Sequence, residues 1–151
     1  MNSNQIQNSE ATIIINTMNI TYKTNIIPKT EEIIDLYDSV GLNRPLHDPN
    51  RIIHMFTHSN LVITAWAGEQ LVGISRALTD WCWSYYLADL AVKQPYKKLD
   101  IGKKLISLTK EKGGKQSMVL LLSAPAAMAY YPKVGLEQVQ NGFILHRESW
   151  S

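Results

Sequence analysis

Three strand-like segments follow one another between residues 60 and 92, and they limit the folds that are open to this chain. The first two are the β-rich runs on either side of AGEQ in NLVITAWAGEQLVGISRAL, which is a hairpin signal. The third, CWSYYLADLAV, is apolar on both faces, as is typical of a central strand. Consecutive strands joined by short turns predict antiparallel neighbours, so the pattern excludes a doubly wound parallel fold.

Patterns on both sides of this meander complete the predicted order of elements. A strand (ITYKTNI) and two helices (PKTEEIIDLYDSV and RIIHMFTHS) come before it. After it come a helix with Ile101, Leu105 and Leu108 on one face, a buried strand, a short helix and a terminal hairpin, the last three in MVLLLSA, PAAMAYYPKVG and LEQVQNGFILHR. The expected fold is α+β, with a mixed and mostly antiparallel sheet of about seven strands flanked by about four helices, in the order β-α-α-β-β-β-α-β-α-β-β.

The length of 151 residues and the hydrophobic content of 45% are typical of one soluble domain. We expect a flexible polar tail over residues 1–12 and a single domain over residues 13–151. The single cysteine, Cys82, cannot form an internal disulfide, which favours a reducing, cytoplasmic location. The N-terminal residues lack the pattern of a secretory signal, and the run IIIN is too short to span a bilayer, so no membrane partner is expected.

Positive charge is concentrated between Lys93 and Lys115. This segment holds eight lysines against Asp100 and Glu111, whereas the whole chain has a formal net charge of +2. The concentration indicates an anionic partner, although a solvated helix face would also explain it. Nucleic acid is not the expected partner, because these lysines do not alternate with aromatic residues and form no recognisable binding motif.

The stretch YKKLDIGKKL follows the predicted fourth strand and opens a helix. The first turn of a helix has free N–H groups and the positive end of the helix dipole, so it can bind phosphate. Lys97, Lys98 and Lys103 add side-chain charge there, and Gly102 lets a ligand approach the backbone closely. The residues therefore indicate an anion-binding turn. The alternative is that Gly102 only eases the packing of the helix on the sheet.

Two motifs in this half of the chain resemble those of the GNAT-type acyl-CoA N-acyltransferases. KKLDIG stands where that family has a pyrophosphate loop of the pattern Gln/Arg-x-x-Gly-x-Gly/Ala, and AYYPKVGLE resembles its FYxKxGF helix and turn. The resemblance covers about residues 20–147. The chain departs from the pattern where Lys97 replaces Gln or Arg, Asp100 replaces the first glycine and Ala124 replaces an asparagine.

The resemblance implies an N-acetyltransferase that moves an acetyl group from acetyl-CoA, its co-substrate, to a primary amine of a small molecule or a protein. The alternative is a non-catalytic acyl-CoA-binding or regulatory module of the same fold. A backbone N–H near the end of the fourth strand would stabilise the oxyanion, a bulge there would splay two strands apart and admit the pantetheine arm, and Tyr131 would be the general acid. The residues that the resemblance implies at the acyl-CoA site are Leu90, Ala91, Val92, Lys97, Lys98, Leu99, Asp100, Ile101, Gly102, Lys103 and Tyr131.

The position of Asp100 matters because a carboxylate repels a pyrophosphate. Either its backbone adopts the left-handed conformation, which Asp tolerates better than most residues, or its side chain caps the following helix. If the carboxylate instead faced the phosphates, the binding of CoA would be weakened.

Asp89 and Tyr86 are the candidates for a base or an amine contact. They lie three positions apart on a strand, so they are expected on opposite faces, with at most one of them at the substrate. Tyr86 stands where some members of the family have a catalytic glutamate, but a tyrosine, with a pKa of about 10, is a weak base at neutral pH.

Further polar and aromatic side chains lie near the predicted acceptor site. His54 and His58 share a helix face and are expected to form a surface pair, and no metal site is predicted. Trp81 and Trp83, with their aromatic neighbours, indicate either packing in the core and at the hairpin tip or a pocket for an amine. Tyr130 is expected in the core, and the edge of the terminal hairpin could pair with a second subunit in a homodimer.

Overall fold

The computed structural model describes residues 19–149, so the predicted tail over residues 1–12 lies outside the described residues. These residues form two units, one that ends at Leu120 and one that begins at Leu121. The first unit contains five strands and three α-helices: β1 (Ile20–Thr24), α1 (Thr30–Ser39), α2 (Pro49–Thr57), β2 (Leu61–Ala67), β3 (Gln70–Thr79), β4 (Ser84–Val92), α3 (Ile101–Gly113) and β5 (Met118–Leu120). A 3₁₀ helix, Gln94–Leu99, joins β4 to α3.

The five strands form one sheet in the order β1-β2-β3-β4-β5. Neighbours are antiparallel except for β4 and β5, which are parallel because α3 carries the chain back across the sheet between them. The predicted α+β class, the antiparallel meander and the mixed sheet are therefore confirmed for the described residues.

Local sequence explains where the helices before the meander begin. The Asp48 side chain accepts a hydrogen bond from the N–H of Arg51, and Pro49 follows it in the first turn of α2. At the start of α1, the Glu32 side chain accepts a hydrogen bond of 2.9 Å from the N–H of Lys29.

The two faces of the sheet are covered by different helices. Ile33, Leu36, Ile52 and Phe56 from α1 and α2 pack with Ile74 in one buried cluster. α3 covers the opposite face with Ile101, Leu105 and Thr109, all of them buried. Gly73 permits this approach, since a Cβ atom there would lie 3.0 Å from a methyl group of Ile101.

The prediction of seven strands is wrong, because the sheet of residues 19–149 has five. The segment predicted as the buried strand MVLLLSA pairs over three residues only, and Met118 and Leu120 are exposed. The segment LEQVQNGFILHR forms no strand, and its Phe143 and Leu145 are fully exposed. A two-stranded hairpin that buries no apolar face is at best marginally stable in water, which explains why the turn signal at Asn141–Gly142 did not suffice.

The second unit contains only short helical elements among its described residues. They are the 3₁₀ helix Pro125–Ala127 and α4 (Tyr130–Lys133), and neither has a buried residue. The short helix predicted in PAAMAYYPKVG is thus present as two pieces. Gly135, which was predicted to end it, has a φ of 96°.

Candidate active site

The pairing of β4 with β5 stops halfway along β4. The parallel register joins Ser84 to Met118 and ends at Tyr86 and Leu120, whereas β4 continues to Val92. Over residues 87–92, β4 has no strand partner on its β5 side among the described residues. Backbone groups on that side of the strand are therefore not used by the sheet.

A bulge lies in this half of β4. Arg76 pairs with Asp89 and the next residue of β3, Ala77, pairs with Leu87, so Ala88 is the extra residue. The bulge that the resemblance implied therefore lies just before Leu90.

The register also shows the direction of the N–H groups in β4. The N–H of Lys93 donates to the carbonyl of Val72 on β3 at 2.8 Å. Since N–H groups alternate along a strand, those of Asp89 and Ala91 also point to β3, and those of Leu90 and Val92 point to the opposite side. Two of the three residues predicted at the thioester thus direct an N–H to the side that β5 leaves unpaired.

The bulge places Tyr86 and Asp89 on the same face of the sheet, so the expectation of opposite faces is wrong. Tyr86 pairs with Leu78 and Asp89 pairs with Arg76, and these partners lie two apart on β3. The extra residue at Ala88 shifts the alternation by one position, which a count along the sequence cannot reveal.

Asp89 is buried and holds together four parts of the chain. Its carboxylate accepts hydrogen bonds from Arg44 Nε (2.6 Å), Arg76 Nε (2.6 Å) and the Tyr37 hydroxyl (2.8 Å). Arg44 Nη2 also donates to the carbonyl of Ala88, 2.7 Å away, and so fixes the bulge. Neither arginine was predicted from the sequence, although an aspartate inside an apolar strand requires partners that offset the burial of its charge.

The environment of Asp89 determines its ionisation. Burial raises the pKa of the carboxyl, but the hydrogen bond and charge of Arg76 and the charge of Arg44 outweigh burial, and the pKa lies below its ordinary value. Burial also raises the pKa of the Tyr37 hydroxyl, and the Asp89 charge raises it further, so Tyr37 stays protonated as a donor. Asp89 is thus an ionised acceptor whose oxygens are already occupied, and Tyr86 is the more accessible of the two base candidates.

The turn after β4 has the features of an anion site. α3 begins at Ile101 with no side-chain cap. In its first intrahelical hydrogen bond, the N–H of Lys104 donates to the backbone carbonyl of Asp100. The N–H groups of Ile101, Gly102 and Lys103 precede that bond. Lys97 and Lys98 are exposed on the 3₁₀ helix before the turn.

Other residues of this segment are structural. The Lys93 ammonium pairs with the Asp35 carboxylate at 2.9 Å, and Leu99 is half-buried. The buried Tyr96 ring anchors the 3₁₀ helix, with its hydroxyl 3.4 Å from Gln70 Oε1.

Asp100 occupies the left-handed region, with a φ of 57° and a ψ of 23°. Its side chain makes no capping hydrogen bond, so of the two arrangements considered the backbone conformation is present and the N-cap is not. The family pattern has a glycine here, and Asp is among the few other residues that enter this region at modest cost.

Tyr131 lies on α4 in the second unit and is half-buried. Its ring packs edge-on against that of Tyr130, with centroids 5.4 Å apart. Burial, with a smaller effect of Tyr130, raises the pKa of the Tyr131 hydroxyl, which therefore keeps its proton at neutral pH. Tyr130 is exposed, so the expectation that it packs into the core is wrong.

The turn between β3 and β4 is organised by Asp80. Its Oδ1 accepts the N–H groups of Cys82, Trp83 and Ser84, and these bonds lower the pKa of the carboxyl to about 2. Trp81 has a φ of 67°, and both it and Trp83 are exposed, so neither belongs to the core. The Asp80 charge raises the pKa of the Cys82 thiol, which disfavours a reactive thiolate.

A cavity of about 520 Å³ lies beside the first half of β4. It is lined by His58, Asn60, Leu78, Thr79, Asp80, Ser84, Tyr85, Tyr86, Met118 and Leu120. The ring centroids of His54 and His58 are 4.1 Å apart, and His58 Nδ1 lies 2.9 Å from the carbonyl oxygen of His54. Within residues 19–149, no three side chains of the metal-binding types come together. Over the same range, no helix is both long and apolar enough to cross a membrane.

Comparison with known structures shows the same fold in several acetyltransferases. A GNAT family acetyltransferase from Streptococcus pneumoniae TIGR4 superposes with a TM-score of 0.69 at 23% identity, over 87% of this chain and all of that one (100%). An aminoglycoside N-acetyltransferase solved in complex with CoA has a TM-score of 0.66 at 13% identity, over 87% and 97% of the two chains. An aminoglycoside acetyltransferase from an uncultured soil metagenomic sample, solved with sisomicin, has a TM-score of 0.60 at 21% identity, over 89% and 99%.

The sequence comparison identifies the family. No curated protein sequence matches the chain significantly. A family model described as an acetyltransferase (GNAT) domain matches residues 41–146, which is most of the chain. The strand bulge, the unpaired half of β4 and the uncapped helix start all lie within the matched residues, and the chain belongs to the GNAT acetyltransferase family.

Proposed function

We propose that this chain transfers an acetyl group from acetyl-CoA to a primary amine by direct attack of the amine on the thioester. The observation that carries the proposal is the second half of β4. There the bulge at Ala88 and the end of β5 pairing leave the N–H groups of Leu90 and Val92 directed to an unpaired side, and the 3₁₀ helix then leads to the uncapped start of α3.

Of the Leu90 and Val92 N–H groups, which lie two residues and so about 6.6 Å apart, one is the donor for the thioester oxygen. They are part of a strand held by β3 on its other side, so little reorganisation is needed when negative charge develops on that oxygen. The bulge is itself fixed by Arg44 through the Ala88 carbonyl, and Arg44 is in turn fixed by Asp89. In this proposal Asp89 positions the strand and is not the base.

The N–H groups of Ile101, Gly102 and Lys103 bind the pyrophosphate, with Lys97 and Lys98 as flanking cations. Tyr131 is the proton donor to sulfur. As the nitrogen–carbon bond forms and the carbon–sulfur bond breaks, the hydroxyl protonates the thiolate, and the proton lost by nitrogen returns to the tyrosinate through water. Tyr86 lines the cavity beside β4 and is the candidate to contact the amine.

Calorimetry with acetyl-CoA tests binding, and thiol release over a panel of primary amines tests the chemistry. Heat with acetyl-CoA together with amine-dependent thiol release supports the proposal. Heat without thiol release for any amine would leave the non-catalytic acyl-CoA-binding module, and no heat at millimolar ligand would contradict both.

A charge-matched pair of variants tests the anion site. Lys98→Ala should weaken acetyl-CoA binding, whereas Lys112→Ala, at the other end of α3, should not. If the two substitutions changed the affinity for acetyl-CoA equally, the turn before α3 would not be the anion site.

A further inference from the structure

The cavity beside β4 has an apolar floor formed by three neighbouring strands. Leu78 on β3 pairs with Tyr86 on β4, and Tyr86 pairs with Leu120 on β5, so the three side chains lie on one face. They are 41%, 42% and 40% exposed. Met118, two residues before Leu120, extends the same surface and is 57% exposed. We call these four residues the apolar floor.

The floor is the uncovered end of a face that is otherwise buried. Ile74 and Arg76 precede Leu78 on the same face of β3, and both are buried. The Arg76 guanidinium lies 5.7 Å from the ring centroid of Phe56 on α2. α2 ends at Thr57, and His58 follows at the rim of the cavity, so the helix stops before it reaches the floor.

The charges around the floor are few. Asp80 is the one carboxylate in the cavity lining, and one of its oxygens already accepts three backbone N–H groups. No lysine or arginine lines the cavity within the described residues. A ligand with several ammonium groups would find no second carboxylate in this lining to pair with, so its additional charges would gain little from this surface.

The floor is also close enough to the proposed chemistry. Tyr86 precedes Leu90 by four residues on β4, which is about 13 Å at a rise of about 3.3 Å per residue. A ligand body on the floor is therefore within one small molecule's length of the N–H groups proposed for the thioester. The volume of about 520 Å³ is in the range of small-molecule sites.

Resting on the acetyl transfer proposed above, we propose that the acceptor is an amine with a single positive charge on an aromatic or branched apolar body, and that this body binds on the apolar floor. Leu78, Tyr86 and Leu120 contact the body, and the low charge around the floor suits a ligand whose one amine is the group that reacts. The acceptor is therefore of a different class from the polycationic aminoglycosides.

The test compares phenylethylamine, ethanolamine and sisomicin as acceptors for the full chain with acetyl-CoA. Burial of a phenyl group is worth about 10- to 100-fold, so kcat/KM should be higher for phenylethylamine than for ethanolamine by about that factor. Sisomicin should be the poorest acceptor per amine. A preference for sisomicin, or equal kcat/KM for the other two amines, would overturn the proposal.

Substitutions in the apolar floor test whether phenylethylamine binds there. Leu78→Gln should raise the KM for phenylethylamine about 10-fold and leave the KM for acetyl-CoA unchanged. Ile53→Gln is the matched control, since Ile53 is an exposed apolar residue of α2 outside the cavity lining. Equal effects of the two substitutions would contradict a site on the floor.

Direct binding separates this inference from the proposed function. Calorimetry of phenylethylamine without acetyl-CoA should show binding that Leu78→Gln weakens about 10-fold. If phenylethylamine binds in this way but acetyl-CoA does not bind, the apolar floor is an amine site and the proposed acetyl transfer is wrong. If sedimentation showed instead that Leu78→Gln dissociates a dimer and that phenylethylamine does not bind, the floor would be an interface between copies and the inference would be wrong.

Discussion

The hydroxyl oxygen of Tyr85 lies 0.3 Å from the position that a Cβ atom on Gly113 would occupy. Tyr85 comes from the start of β4 and Gly113 from the last turn of α3, and both are buried. The absence of a side chain at Gly113 therefore fixes how closely the end of α3 approaches the sheet.

Gly113→Ala should lower the free energy of unfolding by about 1–3 kcal/mol, because the tyrosine ring must leave its place. Urea denaturation followed by circular dichroism measures the change. Gly142→Ala is the control, since a Cβ atom there meets its nearest atom, Val139 Cγ2, at 3.9 Å. Equal unfolding midpoints for the two variants would show that the tyrosine ring moves away at little cost.

Asp89→Asn should lower the free energy of unfolding by about 3–5 kcal/mol, because Arg44 and Arg76 would lose their shared carboxylate. Asp35→Asn is the control, since the pair of Asp35 with Lys93 is exposed on the carboxylate side and should contribute less than about 1 kcal/mol. A loss for Asp89→Asn no larger than that of the control would contradict the role assigned to the network.

The same network predicts how stability depends on pH. The pKa of Asp89 is lower in the folded than in the unfolded chain, so its contribution is fully present above the unfolded pKa of about 3.9 and is lost as the pH falls through the folded value. The free energy of unfolding should therefore fall more steeply below about pH 4 in the natural chain than in Asp89→Asn. Parallel curves for the two proteins in acid would show that another group is responsible.

Substitutions at Asp100 separate charge from conformation. Asp100→Asn keeps a residue that tolerates the left-handed region and removes the charge, whereas Asp100→Ala should destabilise the turn by about 1–2 kcal/mol. If the carboxylate repels the phosphates, Asp100→Asn binds acetyl-CoA more tightly by about 1 kcal/mol, the value for a screened charge at short range, whereas the cost of the turn offsets this gain in Asp100→Ala. Unchanged affinity in Asp100→Asn would show that the carboxylate points away from the ligand.

Tyr131→Phe should reduce kcat by about 10²- to 10⁴-fold, with little change in the KM for acetyl-CoA, if Tyr131 is the general acid. Tyr130→Phe, one residue away, should have little effect. Because the pKa of Tyr131 is raised, its loss of a proton should not reduce the kcat of the natural chain between pH 7 and 9. Full turnover in Tyr131→Phe would remove Tyr131 from the mechanism.

The first unit could be predicted from sequence because its signals are local. The β-rich runs of β2 and β3 around their turn, the apolar character of β4, and the spacing of Ile101 and Leu105 each indicate one element. The terminal segment carried an equally clear turn signal at Asn141–Gly142, but a turn does not make a hairpin unless a face of it is buried.

The candidate site was only partly predictable, because two of its features depend on contacts between parts of the chain that are distant in sequence. The place of Asp100 in the anion-binding turn was predictable, because the sequence shows it between β4 and the start of α3. The bulge at Ala88 is a property of the register between β3 and β4, and it reversed the expected relation of Tyr86 to Asp89. The contact of Arg44 with Asp89 joins residues 45 positions apart, which no spacing rule anticipates.

The left-handed backbone of Asp100 changes what the family's glycine means. What this position requires is a left-handed backbone conformation rather than glycine itself. Asp100 adopts that conformation here, with a φ of 57°. Asparagine shares that tolerance, so chains with either residue at the first glycine are equally able to form the turn. A consensus written in residue names rejects such chains, whereas one written in backbone conformations admits them.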